Sequence, residues 1–145
     1  MILKIGSKYL FDTSVFIDAF RKDKDAQSIM FQARFNGTSV GYSIVTETEL
    51  WVGVMQSRFL TPNRQRVMLR PFKRYFINVT IARRAGELRG LLRKAGINKT
   101  EGPHLMDCLI AATGEYYGLI ICTRNSKDFK KFRTYQVAQI DYQVY

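Results

Sequence analysis

Histidine and cysteine are almost missing from this 145-residue sequence. His104 is the only histidine, and Cys108 and Cys122 are the only cysteines. That scarcity excludes a disulfide framework, a Cys/His zinc centre and any mechanism that needs two histidines. Each thiol sits in an apolar run (LMDCLIAA and LIICT) and reads as a small buried hydrophobe, in keeping with a reducing compartment. His104 follows Pro103 at the start of a helical pattern and reads as a polar residue of the first turn. Long apolar runs are missing too. No window approaches the roughly 18 residues of a membrane span, and the lysine-bearing start, Met1 to Leu10, has no apolar segment after it that would make a leader. The expectation is a cytoplasmic protein with no membrane attachment. Neither GxGxxG nor GxxxxGKS occurs, so a dinucleotide or P-loop site is unsupported. Repeats and low-complexity stretches are absent, and 46% hydrophobic residues suffice for one domain spanning 1–145.

Acidic residues are also scarce: 12 against 23 Lys+Arg, a net charge of +11. From Gln56 to Lys99 the sequence holds twelve basic residues (Arg58, Arg64, Arg66, Arg70, Lys73, Arg74, Arg83, Arg84, Arg89, Arg93, Lys94 and Lys99) and one acid, Glu87. The net charge of this segment is 12 − 1 = +11, and the remainder sums to zero. Such a field suits a polyanion. Nucleic acid is the favoured partner, with Arg58, Arg64, Arg66, Arg70, Lys73 and Arg74 as candidate phosphate contacts; a membrane surface is the weaker alternative.

Hydrophobic periodicity gives strands alternating with helices. Strands are expected at Lys8 to Phe11, Thr38 to Ser43, Tyr75 to Val79, Leu119 to Cys122 and Tyr135 to Gln139. Helices are expected at Thr13 to Arg21, Ala26 to Phe35, Val45 to Met55, from Thr61-Pro62 onward, Ile81 to Ala95, Pro103 to Tyr117 and Ser126 to Phe132. Gly96 and Gly118 serve as stops. This order predicts an α/β fold with a mainly parallel sheet and helices on both faces. In such sheets the site lies beyond the carboxyl ends of the strands, where Asp12, Ser43 and Thr123-Arg124-Asn125 fall.

Three acids break the local pattern. Asp12 ends an apolar strand, Glu49 lies in Ser43–Leu50, and Asp107 interrupts an apolar helix. A carboxylate there is costly unless paired. Local roles are open to each: Asp12 as a helix cap, Glu49 near a helix N-terminus, Asp107 against an arginine. The topology instead brings all three to one edge, with Asp128 close behind. Like charges about 4 Å apart repel by roughly 4 kcal/mol at an effective dielectric near 20. A divalent cation removes that repulsion, and an all-oxygen set selects Mg²⁺ or Mn²⁺, ions that keep waters able to act as nucleophiles.

Taken in order, Tyr9-Leu10-Phe11-Asp12-Thr13-Ser14, Ser43-Ile44-Val45-Thr46 with Glu49-Leu50 and Gly53, Asp107 with Leu109-Ile110-Ala111-Ala112-Thr113, and Thr123-Arg124-Asn125 with Asp128-Phe129 resemble a PIN domain. They are most similar to the VapC-type toxins of prokaryotic toxin–antitoxin pairs, and the resemblance spans nearly the whole chain. It implies a three-layer α/β/α sandwich and a Mg²⁺- or Mn²⁺-dependent endoribonuclease that hydrolyses RNA with a metal-activated water. It places Asp12, Glu49 and Asp107 in the acidic core, with Ser14 and Thr123 in support. Many members carry an acid directly after the Thr-x pair. This sequence has Asn125, a pattern also common in the family, so Asn125 or Asp128 completes the shell and the number of ions stays open. Glu47 and Glu49 lie about 200° apart on a helix; the Glu49-Leu50-x-x-Gly53 match selects Glu49 and leaves Glu47 as a solvated first-turn acid. A small antitoxin bearing an arginine for Asp12 or Asp107, and a homodimer, are the partners implied. The rival readings are a PIN-like nuclease of RNA maturation or DNA processing, and a catalytically silent nucleic-acid-binding module.

Overall fold

The computed structural model describes residues 1–98 and 100–145; Lys99, counted above with the basic segment, lies outside the described residues. The chain runs β1 (Lys8–Phe11), α1 (Thr13–Phe20), α2 (Lys24–Phe35), β2 (Ser39–Ser43), α3 (Ile44–Gln56), α4 (Pro62–Leu69), β3 (Lys73–Tyr75), α5 (Val79–Lys94), α6 (Leu105–Tyr117), β4 (Ile120–Thr123), α7 (Ser126–Thr134) and β5 (Tyr142–Val144). The strands form one sheet in the order β3-β2-β1-β4-β5. Every pairing is parallel, as the alternation of strands and helices requires.

Side-chain alternation along the strands explains the three layers. Tyr9, Phe11, Val40, Tyr42 and Cys122 face one side, where they pack with Val15, Phe16, Ile29, Leu50, Leu69 and Phe72 from α1 to α4 and the turn into β3. Leu10 and Ile121 face the other side, against Ile81, Leu88 and Leu92 of α5, Ile110 and Ala111 of α6, and Phe129 and Phe132 of α7. Both cysteines are free and buried, and burial pushes each thiol up to about 12, so they fill space rather than react.

Two strands differ from expectation. The third is Lys73–Tyr75 rather than Tyr75 to Val79, because Asn78 stops it: the Asn78 carboxamide accepts the Ile81 N–H at 2.9 Å and caps α5. Lys73 and Arg74 therefore lie in the strand, whose exposed polar side chains suit the edge of a sheet. The last strand is Tyr142–Val144 rather than Tyr135 to Gln139. Helix α7 runs on to Thr134, and Ala138 and Ile140 are buried in the connection rather than paired with β4. Here burial imitated a strand. His104 stands just before α6 as its N-cap residue, one position outside the helical turn expected for it.

The chain leaves β1 for β2 on one side and reaches β4 on the other. The carboxyl end of β1 thus stands at the switch in strand order, where the crossovers diverge and a crevice opens. Among the described residues no helix is long and apolar enough to cross a membrane.

Candidate active site

Asp12 follows the last residue of β1, and its backbone N–H still donates to Cys122 O in β4 at 2.9 Å, which fixes the side chain at the switch. It is buried, 5% exposed. Its Oδ1 accepts the Thr13 N–H at 2.8 Å, so Asp12 does cap α1. A cap needs only that bond. Oδ2 additionally accepts the hydroxyls of Ser14 at 2.8 Å and Thr123 at 2.7 Å, from α1 and the end of β4. Burial raises the Asp12 pKa, opposed by these three donors and the backbone at Ser14.

Glu49 reaches the same place from the second turn of α3. Its Oε2 accepts the Thr13 hydroxyl, which also lies 3.1 Å from the Thr46 hydroxyl. Burial raises its pKa, Thr13 opposes, and the charge of Asp12 adds to the rise. Asp107 enters from the first turn of α6. Its Oδ2 accepts the His104 N–H at 2.7 Å. Burial pushes it up to about 6, against the His104 bond, with further contributions from Asp12, Asp128 and Glu49. Asp128 is tied in through Asn125: the Asn125 N–H donates to the Thr123 hydroxyl at 2.9 Å, and its Nδ2 donates to Asp128 Oδ2 at 2.7 Å. The structure therefore brings Asp12, Ser14, Glu49, Asp107, Thr123, Asn125 and Asp128 together at one end of the sheet.

Among the described residues Asp12, Glu49 and Asp107 form no ion pair, and Asp128 has only Lys131 at 3.5 Å. Three or more acids held this way leave uncompensated negative charge, which fits a hard divalent cation and its oxygen preference. No three of the described His, Cys, Asp and Glu side chains converge as a ready-made ligand set. Both Asp12 oxygens, Glu49 Oε2 and Asp107 Oδ2 also accept hydrogen bonds. The set thus suits an ion that retains part of its hydration shell.

Glu47 is not solvated as expected. It is half-buried on the opposite face of α3, where Tyr42 donates its hydroxyl to Oε1 at 2.7 Å and the Arg74 guanidinium lies 2.5 Å away. Arg74 is thereby neutralised. With Trp51, Val52, Met55, Arg66 and Arg70 these residues line a groove of about 1350 Å³ that lies apart from Asp12, Glu49, Asp107 and Asp128. Arg58 and Lys73 are exposed, Lys73 over the Tyr75 ring, and Arg64 donates to Phe59 O. The sequence reading missed Thr13 and Thr46, although hydroxyls beside Asp12 and three residues before Glu49 were a usable signal. It placed Arg124 at the site edge but gave it no role, because its partners Asp18 and Asp23 are remote in sequence.

A model of the PIN domain matches residues 9–134. The chain belongs to the PIN-domain family. Among solved structures, VapBC2 from Rickettsia felis bound to a DNA fragment from their promoter aligns with a TM-score of 0.77 and 18% identity over 94% of this chain and 98% of that one. VapBC-1 from nontypeable Haemophilus influenzae gives 0.72 and 18% over 94% and 96%. A toxin-antitoxin complex from Klebsiella pneumoniae gives 0.63 and 27% over 84% and 90%. No curated protein matches the chain. The five-stranded parallel sheet between two helical layers is the PIN fold, and its acids lie at the switch in strand order.

Proposed function

We propose that residues 1–145 act as one PIN domain, a Mg²⁺- or Mn²⁺-dependent endoribonuclease that serves as the toxin of a toxin–antitoxin pair in the cytoplasm. The observation that carries this reading is that Asp12, Glu49 and Asp107, supplied by three separate elements, stand at one end of the sheet with no ion pair among the described residues. Asp12, Glu49, Asp107 and Asp128 would hold the ion, directly or through water, and Asn125 keeps Asp128 in place. The ion supplies charge neutralisation at the scissile phosphate and a more acidic water. Ser14, Thr123 and Thr13 donate to the carboxylates, which favours their charged form against burial and aims Asp12 and Glu49.

The likeness to VapBC complexes supports a small antitoxin as partner. An arginine from it would pair bidentately with Asp12 or Asp107 and displace the cation. A homodimer is part of the same proposal. Arg58, Arg64, Arg66, Arg70 and Lys73 would hold the RNA backbone, whereas Arg74 is engaged by Glu47. Purified protein is incubated with a long single-stranded RNA, and in parallel with single-stranded DNA, with Mn²⁺ or with chelator. Cleavage of RNA by wild type, absent with chelator and in Asp107→Asn, supports the reading. Cleavage of DNA alone would favour a DNA-processing role, and binding without cleavage a silent module.

A further inference from the structure

Arg124 stands in the Thr-Arg-Asn turn that follows β4, beside the acids but not turned toward them. Its Nε lies 3.1 Å from Asp18 Oδ2 near the end of α1. Its Nη1 and Nη2 donate to the two oxygens of Asp23, the N-cap of α2, at 3.1 and 2.8 Å. The Tyr145 ring faces the guanidinium at 4.9 Å, and the Tyr145 hydroxyl donates to Asp18 at 2.9 Å. A guanidinium shared between two carboxylates and an aromatic face has little left for a phosphate. What it does have is a fixed backbone: the Arg124 N–H donates to Ser14 Oγ at 3.2 Å, while Ser14 donates to Asp12 Oδ2 at 2.8 Å. A hydroxyl that accepts one bond has its proton directed toward the other.

We propose that Arg124 is a positioning residue. Clamped on Asp18 and Asp23 and stacked on Tyr145, it holds the N–H that orients Ser14, and through Ser14 the carboxylate of Asp12. The clamp joins the β4–α7 turn to the α1–α2 corner, so it also sets how closely Thr123 approaches Asp12. Its catalytic consequence rests on the nuclease reading, whereas its structural consequence does not.

Arg124→Ala, Arg124→Lys and Tyr145→Phe are compared with wild type, and Arg84→Ala serves as a control that removes another doubly paired arginine, on Glu87 and Glu115. Arg124→Ala should speed amide exchange at position 124, corrected for intrinsic rate, and at Thr13 by at least about threefold. It should weaken Mn²⁺ binding in calorimetry about tenfold and lower kcat similarly with KM held. Arg124→Lys keeps the charge without the fork and should recover part of each loss. Tyr145→Phe keeps the ring and should lose least. Arg84→Ala should lower Tm yet leave exchange at 124 and 13 unchanged. Unchanged exchange in Arg124→Ala overturns the proposal, and a loss confined to KM does so as well, since it would make Arg124 a substrate contact. If wild type neither binds Mn²⁺ nor cuts RNA, the nuclease reading fails, and the exchange measurement still decides whether Arg124 positions Ser14.

Discussion

The carboxyl group of Asp107 has two opposed attachments. Its Oδ2 anchors the start of α6 through the His104 N–H, while burial and three neighbouring acids disfavour its charge. The sign of the resulting pH dependence follows from the shift. Unfolded, the group titrates near its ordinary 3.8; folded, it titrates at about 6. Between those values the folded state holds a proton that the unfolded state has released. Without divalent ions, stability should therefore fall as pH rises from about 4 to about 7, by about 2 kcal/mol from this group. Asp107→Asn keeps an oxygen for the His104 N–H and removes the charge. Thermal melts in chelator should show the variant with a higher Tm than wild type at neutral pH and a flatter pH profile, although it should be inactive. A lower Tm at neutral pH would mean that the charge is compensated in the folded protein. The fourth position follows the same logic of charge. Asp128→Asn should weaken Mn²⁺ binding less than Asp107→Asn, and Asn125→Asp should strengthen it. Calorimetric titration in which Asp128→Asn proved the most damaging change would reverse those roles.

At the scale of elements, Gly41 fixes the packing of β2 against β3. A Cβ there would meet Lys73 O and the Tyr75 ring, both at 2.4 Å, and the backbone oxygen cannot step aside. Gly41→Ala should lower the urea midpoint by the equivalent of about 2 kcal/mol. Gly118, with φ of 63° at the end of α6 and open space around its Cβ direction, should lose only about 1 kcal/mol as alanine. Equal losses would remove the distinction between a steric and a conformational glycine. These two glycines also illustrate what could be read from the sequence. Gly118 ends an apolar helix and announces a stop, whereas the need for glycine at 41 depends on a neighbour 34 positions away. The same division holds for strands and site. β1 and β4 were legible because both faces are buried and their runs are apolar, and β2 because Val40 and Tyr42 alternate with small residues after the Asn36-Gly37 turn. β3 was not, since an edge strand needs only one apolar face, and Lys-Arg-Tyr carries almost no signal. Asp12, Glu49 and Asp107 were legible because charge interrupts apolar pattern. Arg124 and Tyr145 were not, because polar contacts to Asp18 and Asp23 across about a hundred residues or more leave no local trace.

On the whole molecule, the net charge of +11 divides into spent and available cations. Arg74 is paired with Glu47, Arg84 with Glu87 and Glu115, and Arg124 with Asp18 and Asp23. Arg89 is buried, its Nη2 directed at Asn98 O. Among the described residues of the basic segment, exposed cations without an ion pair remain in three places: Lys73 on the edge strand β3, a set around α4 and a set on α5. Arg58, Arg64, Arg66 and Arg70 surround α4, on the side of the sheet that carries α1 to α4. Arg83, Arg93 and Lys94 lie on α5, on the other side. Helices α5 and α6 run antiparallel, since Arg84 meets Glu115 while Arg89 lies near Cys108. The end of α5 therefore lies beside the start of α6, where Asp107 stands, and Arg83 lies at the far end. An RNA strand crossing the acids would meet Arg93 and Lys94 on one side of the sheet and the α4 cations on the other. Log affinity for single-stranded RNA should then fall with log salt by about 0.7 per phosphate contact. Replacing Arg64, Arg66 and Arg70 with Gln should flatten that slope by about 2, and replacing Arg93 and Lys94 by about 1.4, with base preference little changed. Arg83→Gln should leave it as it was. A slope indifferent to the α4 triple but reduced by Arg83→Gln would put the RNA along the outer face of α5, away from the acids, and would separate binding from cleavage.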